Sequence, residues 1–383
     1  MSQSALNDAV HALLRQQIAT GEQIGVQVAA YQHGRRVVDA WAGTMGPGDA
    51  RPIQPDSLVS CFSTTKGVAA ALLHVLADQG LINYDALVTK YWPAFGQQGK
   101  EHVTVAQAMS HQAGLVTPPQ PGTIEQFVDW EGCLRYIEEM APEWAPGTAT
   151  GYHGLTYAWV CGGIIQHATG RHPRDLVVEL IARPLGIEGE LYIGIPDDLD
   201  SSRLTALNDF TIDLSGMPED HPARLFARPG SAERFNDMRM RRACLPSVNG
   251  HFSARALAKM YGALANGGEI EGVRLVSPER IAAIQQVYCE LPDRMLFGAI
   301  PKGVGFWMGG SLMTRVFGPR RTAFGHYGLG GSTAFADPEH GLSIAVTNNQ
   351  MQMVLQGEGA TMAICNLIRS QLGVPNAEPS AGK

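Results

Sequence analysis

Apolar residues recur at helical spacing near the start of the chain, at Ala5, Val10, Leu13, Leu14 and Ile18. They mark one face of a helix over residues 5–20 that should pack on a sheet. Gly25 to Tyr31 and Arg36 to Gly43 then read as two strands around a His33-Gly34 turn. A loop from Pro52 to Val59 leads into Cys61-Phe62-Ser63-Thr64-Thr65-Lys66 and the Ala- and Leu-rich run 67–77. That run is strongly helix-forming, with Ser63 expected in its first turn and Gly80 as its end.

From about residue 85 to 245 the pattern predicts helices and loops with little strand. Thr104-Val105-Ala106-Gln107 has the form of a capping box opening a short helix through Met109, which Ser110 to Leu115 terminates. A glycine-rich loop, residues 146–153, precedes a helix from Thr156 to Thr169 closed by Gly170. Residues 196–250 lack periodicity and are expected to form long loops over a cleft, with Phe235, Met238 and Met240 in its lining. Ser253 caps a further helix carrying Leu257, Met260, Tyr261 and Leu264, and Ser277-Pro278-Glu279 starts another. Strands are expected at 303–308, 322–326, 332–336 and 342–347, the last two joined by Asp337-Pro338-Glu339-His340-Gly341. A final helix from about Gly359 to Leu372 should lie beside the first one on the same sheet face, followed by a loose polar tail. The expected division is a sheet-containing part from residues 1–85 and 246–383, with 86–245 as a mainly helical part.

Composition narrows the class. Hydrophobic content of 45% and charged content of 17% suit a globular protein, and 44 glycines with no low-complexity block point to many turns. A formal charge of −7 and no basic stripe argue against a nucleic-acid partner. No stretch has the ~18 apolar residues of a membrane span, and the polar start lacks an export signal. Cys61, Cys133, Cys161, Cys244, Cys289 and Cys365 have no metal-like spacing and read as reduced thiols. The expectation is therefore a cytoplasmic protein with no metal or cofactor.

The candidate chemistry sits at Ser63 and Lys66. Spaced i, i+3 they would share one helix face, near the unpaired N–H groups that favour an oxyanion. A buried lysine loses its proton easily, so its amine could take the Ser63 proton. The alternative is a capping serine and a snorkelling surface lysine. His111 is read as a structural histidine at a helix end, and Cys61 as packing. No serine lies in a G-x-S-x-G, and no H-E-x-x-H, Walker A or dinucleotide fingerprint appears.

Three ordered elements, Ser63-x-x-Lys66, Tyr152 in its glycine-rich loop, and the stretch Phe324 to Ser332, resemble the serine β-lactamase/penicillin-binding-protein superfamily. Within it the chain is most similar to the class C-like carboxylesterases, the family VIII esterases, from about residue 20 to 370. The resemblance implies an α+β, β-lactamase-like fold: an antiparallel sheet flanked by terminal helices, an inserted helical region, and a site in the cleft between them. It implies Ser63 as acylated nucleophile, Lys66 as general base and Tyr152 as proton shuttle. The backbone N–H groups of Ser63 and Leu329 would form the oxyanion hole. His326, Tyr327 and Gly328 stand where the family has Lys-Thr-Gly, and with Phe62 and Trp307 would contact substrate; Trp130 is a further aromatic near the expected cleft.

Two departures affect substrate choice. Tyr152-His153-Gly154 lacks the asparagine of the family's Tyr-x-Asn, and His326 replaces a lysine that holds the β-lactam carboxylate. Both suit an uncharged ester, so the expected activity is hydrolysis of small to medium carboxylic esters. The alternatives on the same fold are a β-lactamase, a D-amino-acid peptidase or amide hydrolase, an acyltransferase, or a non-catalytic binding protein. Oligomeric state is not legible.

Overall fold

The computed structural model describes residues 3–210, 230–296, 298–352 and 359–376. The strands are β1 (Gly25–Gln32), β2 (Arg35–Gly46), β3 (Asp49–Pro52), β4 (Val59–Ser60), β5 (Leu191–Ile193), β6 (Gly250–Phe252), β7 (Glu269–Ile270), β8 (Val273–Arg274), β9 (Trp307–Met308), β10 (Phe324–Tyr327), β11 (Thr333–Asp337) and β12 (Leu342–Asn348). Seven form one antiparallel sheet in the order β3-β2-β1-β12-β11-β10-β9. The chain's two ends thus meet at its centre, where β1 pairs with β12 in the register Val28↔Val346.

Strand alternation sorts the apolar residues onto two faces. Val26, Val28 and Ala30 of β1 pack with Leu6, Val10 and Leu14 of the first helix, α1 (Gln3–Ala19), and with Ile364, Cys365 and Ile368 of the last, Ala360–Leu372. Ala29 and Tyr31 face the other way, into a core shared with the Ala254–Ala265 helix. Both terminal helices therefore cover one face, as the periodicity predicts. A smaller sheet, β4-β6-β5, lies under the approach to Ser63.

The second helix, α2 (Thr65–Asp78), is buried at every position from Thr65 to Ala77. Its run of Ala, Val and Leu has no polar face, and a helix apolar all round has to be enclosed by the protein. His74, fully buried within it, bonds the carbonyl of Val304 at 2.8 Å and stacks on Phe306. The loop 303–306 is thereby pinned to the helix that carries Lys66.

Several boundaries differ from the sequence reading. The expected strand at 303–308 shrinks to β9, because Gly305 takes the left-handed conformation at φ +87°. The loop 52–59 holds the end of β3 and the start of β4, and the middle of the chain contributes β5, short pieces with no room for an alternating pattern. Residues 211–229 of the expected cleft loops and 377–383 of the expected tail lie outside the described residues. Met240 is fully buried in the helical core, whereas Met238 is exposed. Predicted caps appear where expected: the Thr104/Gln107 capping box, Ser253, Ser277 with Pro278, and Gly170 at φ +68°.

Gly305→Ala is expected to destabilise the fold on two counts. A Cβ there would lie 2.7 Å from Ala70 Cβ and 3.0 Å from Met109 Cε, and the positive φ penalises any side chain. The combined cost should be about 2–4 kcal/mol, measurable as a lower urea midpoint; an unchanged midpoint would mean that the loop does not brace α2.

Candidate active site

Ser63 sits just ahead of α2 and not within its first regular turn, since the N-cap is Thr64. The chain is already wound there by i→i+3 bonds: Thr64 N–H to Cys61 O at 3.1 Å, Thr65 N–H to Phe62 O at 3.0 Å and Lys66 N–H to Ser63 O at 3.0 Å. Phe62 is held at φ +44°, a conformation that costs a bulky L-residue about 1–2 kcal/mol. Its ring is clamped against Phe235 with centroids 4.6 Å apart. Such strain concentrates where a side chain has to be presented outward, and Ser63 is half-buried among buried neighbours.

Lys66 is fully buried. Its Nζ donates to Gly154 O at 2.7 Å and Ser247 O at 3.0 Å, and lies 3.3 Å from Ser63 Oγ. The Ser247 hydroxyl donates to Leu155 O at 2.9 Å, joining the two segments that supply those carbonyls. Burial pushes the lysine well below its ordinary range, and Cys161 opposes this only weakly. An uncharged amine has two N–H groups and one lone pair. Two carbonyls can only accept, so in that form they would take both N–H groups and leave the lone pair on the Ser63 side. The alternative of a snorkelling surface lysine is excluded by this burial.

Tyr152 is nearly buried, and Lys66 Nζ is 4.6 Å from its ring centroid. Burial raises its phenol above the ordinary range, drawn back in part by a hydrogen bond with Ser63, while the charge of Asp293 adds to the rise. The loop around it is fixed from two sides. His111 O accepts from Gly151 N–H and Thr150 Oγ1, both at 3.1 Å, and His111 Nδ1 accepts from His153 N–H at 3.1 Å. Asp293 Oδ1 accepts from Tyr152 N–H at 3.1 Å. His111 thus satisfies backbone groups, as a structural histidine should, but those of the Tyr152 loop.

The third side is the end of β10. Ser332 Oγ donates to Cys61 O at 2.8 Å, and Thr64 Oγ1 donates to Ser332 O at 3.1 Å. Gly328 lies so close that a Cβ would fall 2.2 Å from Cys61 O. The turn carrying Leu329 is therefore bolted to the turn carrying Ser63. Sequence reasoning had Ser332 only as the end of the Phe324–Ser332 stretch, since a serine after glycines has no signature of a latch, and it missed Asp293 and Ser247, which stand in no motif.

His326 is buried and stacks beside Trp307, centroids 4.3 Å apart, and Tyr152, 6.0 Å apart. Its Nδ1 lies 2.8 Å from Tyr327 O, so it carries the proton and Nε2 is left as an unpaired acceptor. Burial pushes the imidazole well below its ordinary range. Phe62 and Trp307 are buried, while Tyr327 and Leu329 are partly exposed. Trp130 bonds Gln166 Oε1 at 2.6 Å and packs on His172. Among the described residues no cluster of three or more His, Cys, Asp or Glu could hold a metal, and no helix is long and apolar enough to cross a membrane.

A model of the Beta-lactamase family matches residues 10–364. The esterase/beta-lactamase LipL of Mycobacterium tuberculosis (strain ATCC 25618 / H37Rv) is 34% identical, over 93% of this chain and 88% of its own length. A crystal structure of a family VIII carboxylesterase superposes with a TM-score of 0.86 at 32% identity, covering 95% of this chain and 97% of that one. A penicillin-binding protein homologue from Caulobacter crescentus gives a TM-score of 0.83 at 34% identity, covering 95% and 97%.

The histidine pairing has a consequence for acid stability. His153 donates from Nδ1 to Gly151 O at 2.7 Å and accepts Leu115 N–H at Nε2, 3.1 Å away, so it must be neutral when folded. Burial lowers it to about 4, against about 6.5 unfolded. The unfolded chain therefore binds the extra proton first, and stability should fall as pH drops from about 6.5 towards 4, by up to about 1 kcal/mol per pH unit for this group. Urea midpoints at pH 7 and pH 4.5 should differ less in His153→Asn than in the parent; an identical difference would refute a neutral buried His153.

Proposed function

Because the chain belongs to the Beta-lactamase family and is a serine hydrolase of it, we propose that it is a carboxylesterase acting on small to medium uncharged esters through an acyl-enzyme at Ser63. The observation that carries this reading is the Lys66 amine, its two N–H groups taken by the carbonyls of Gly154 and Ser247 and its remaining side facing Ser63 Oγ. The 3.3 Å separation is long for a hydrogen bond, as is usual for catalytic pairs before substrate arrives.

In the proposed cycle Lys66 takes the proton as Ser63 Oγ bonds to the ester carbonyl carbon. The oxyanion that forms is met by the N–H groups of Ser63 and Leu329, an arrangement the Ser332–Cys61 and Ser332–Thr64 bonds support. The C–O bond to the alcohol then breaks, Tyr152 giving its proton to the departing oxygen and recovering one from Lys66. Water repeats the sequence on the acyl-enzyme and releases the acid. Tyr152 suits this part, because its raised phenol stays protonated until a strongly basic alkoxide forms.

His326 supports an uncharged substrate. With its imidazole neutral and an unpaired acceptor at Nε2, the position offers a carboxylate no positive charge. The combined name of the mycobacterial relative keeps a second reading open, β-lactam hydrolysis at the same serine. We further propose that the substrate enters between the sheet-containing part, residues 1–85 and 246–383, and the helical part, 86–245, with Tyr327 partly exposed at that cleft. Six unpaired, buried cysteines support a reducing, cytoplasmic setting.

A panel of p-nitrophenyl esters run beside a chromogenic cephalosporin tests the reading. Turnover should be confined to the esters, and Ser63→Ala should lower it more than about 10³-fold and end labelling by a fluorophosphonate; cephalosporin turnover above that of every ester would overturn the assignment. Gly328→Ala, which drives the Leu329 turn off Cys61, should reduce kcat at least about tenfold, with near-parental activity counting against Leu329 as an oxyanion donor.

A further inference from the structure

Asp293 and Lys302 form a charge pair inside the protein, Oδ2 and Nζ 2.9 Å apart with side chains 0% and 1% exposed. The two groups meet off the hydrogen-bond axis, so the contact is Coulombic. Burying two charges costs several kcal/mol per ion before their attraction offsets it. An apolar pair would fill this space with less penalty, and the surroundings show what the charges are placed to hold.

Asp293 Oδ1 accepts three backbone N–H groups. Two are local, Met295 at 2.8 Å and Leu296 at 2.9 Å, and the third is that of Tyr152 at 3.1 Å, across 141 positions of sequence. Arg294 N–H donates to Thr150 O at 2.9 Å beside it, so the segment 293–296 runs along the Tyr152 loop on the side opposite His111. Lys302 is itself tied to the backbone on two sides. Its backbone exchanges bonds with Cys289 at 2.8 and 2.9 Å and bridges to Trp307, which belongs to the sheet edge and lies 5.2 Å, ring to ring, from Tyr152. A line of fixed contacts thus runs from β9 through Lys302 and Asp293 to the Tyr152 amide.

We propose that Asp293, clamped by Lys302, is the positioning residue for Tyr152: its Oδ1 holds the Tyr152 amide so that the phenol reaches the leaving oxygen of the ester. This rests on Tyr152 acting as the proton donor. The carboxylate also stands close enough to Tyr152 to disfavour a phenolate, which keeps the group a donor.

The test compares two esters that share one acyl group, one releasing p-nitrophenolate and the other ethanol. p-Nitrophenolate leaves without a proton, whereas ethoxide needs one, and kcat/KM reports acylation for both. A displaced phenol should therefore slow the ethyl ester selectively, where a general loss of structure slows both. In Asp293→Ala/Lys302→Met, which leaves no unpaired charge, kcat/KM should fall about 10–100-fold for the ethyl ester and less than about threefold for the p-nitrophenyl ester. Asp293→Asn/Lys302→Met, which restores an oxygen acceptor, should recover most of the loss. Equal loss on both esters, no loss on either, or no recovery by asparagine would overturn the proposal.

Lys302→Met alone keeps the acceptor but frees it from its clamp, and should show the same selectivity at about three- to tenfold. An unselective change in that variant, folded by circular dichroism and still labelled at Ser63, overturns the proposal even where the alanine double variant does not fold. Tyr152→Phe run on the same two esters separates the layers. If it is selective and the Asp293 variants are not, only the positioning role fails; if it is unselective, the donor role of Tyr152 fails and the inference with it.

Discussion

The amine of Lys66 is fully buried against three polar neighbours, and everything proposed for the site depends on what those neighbours can accept. Two are carbonyl oxygens, from Gly154 and Ser247, and the third is the hydroxyl of Ser63. Carbonyls would hold an ammonium well, but enclosure on all sides removes the hydration that an ammonium needs, and burial dominates. An uncharged amine held there would have one unfilled position, on the side that faces the serine.

This arrangement constrains distant parts of the chain. α2 has to be apolar on every face to exclude water around Lys66, and the loop 303–306 and its bond to His74 brace it. The Gly154 carbonyl follows His153, whose N–H is held by His111, and the Ser247 carbonyl lies on a segment tied to Leu155. Ser332 draws the end of β10 against the turn before Ser63. Four segments far apart in sequence thus converge on one helix end, each fixed mainly through backbone atoms.

That reliance on backbone explains how far the sequence could be read. Side-chain patterns were legible: the spacing of Ser63 and Lys66, the Thr104/Gln107 box, Ser277-Pro278, and the alternation of β1 that sorts Val26 and Val28 from Ala29 and Tyr31. So was the position of both terminal helices on one sheet face. Carbonyls leave no mark in a sequence, so the partners of the Lys66 amine were invisible. The pair Asp293 and Lys302 reads as two ordinary loop charges until folding buries them together, and Ser332 reads as a strand residue. β9 fell short because Gly305 turns the chain where apolar residues alone suggested extension. The burial of Phe62 and Trp307 was likewise beyond reach, since an aromatic near a cleft and one in the core look the same in one dimension.

The direct measurement is the protonation of Lys66 itself, followed by heteronuclear NMR of protein carrying ¹³C-labelled lysine, with Lys66→Met to assign the signal. The account predicts that, on raising pH, this side chain has lost its proton well before the exposed lysines begin to titrate. A Lys66 signal that titrates with them, near the ordinary lysine value of about 10.4, would contradict it.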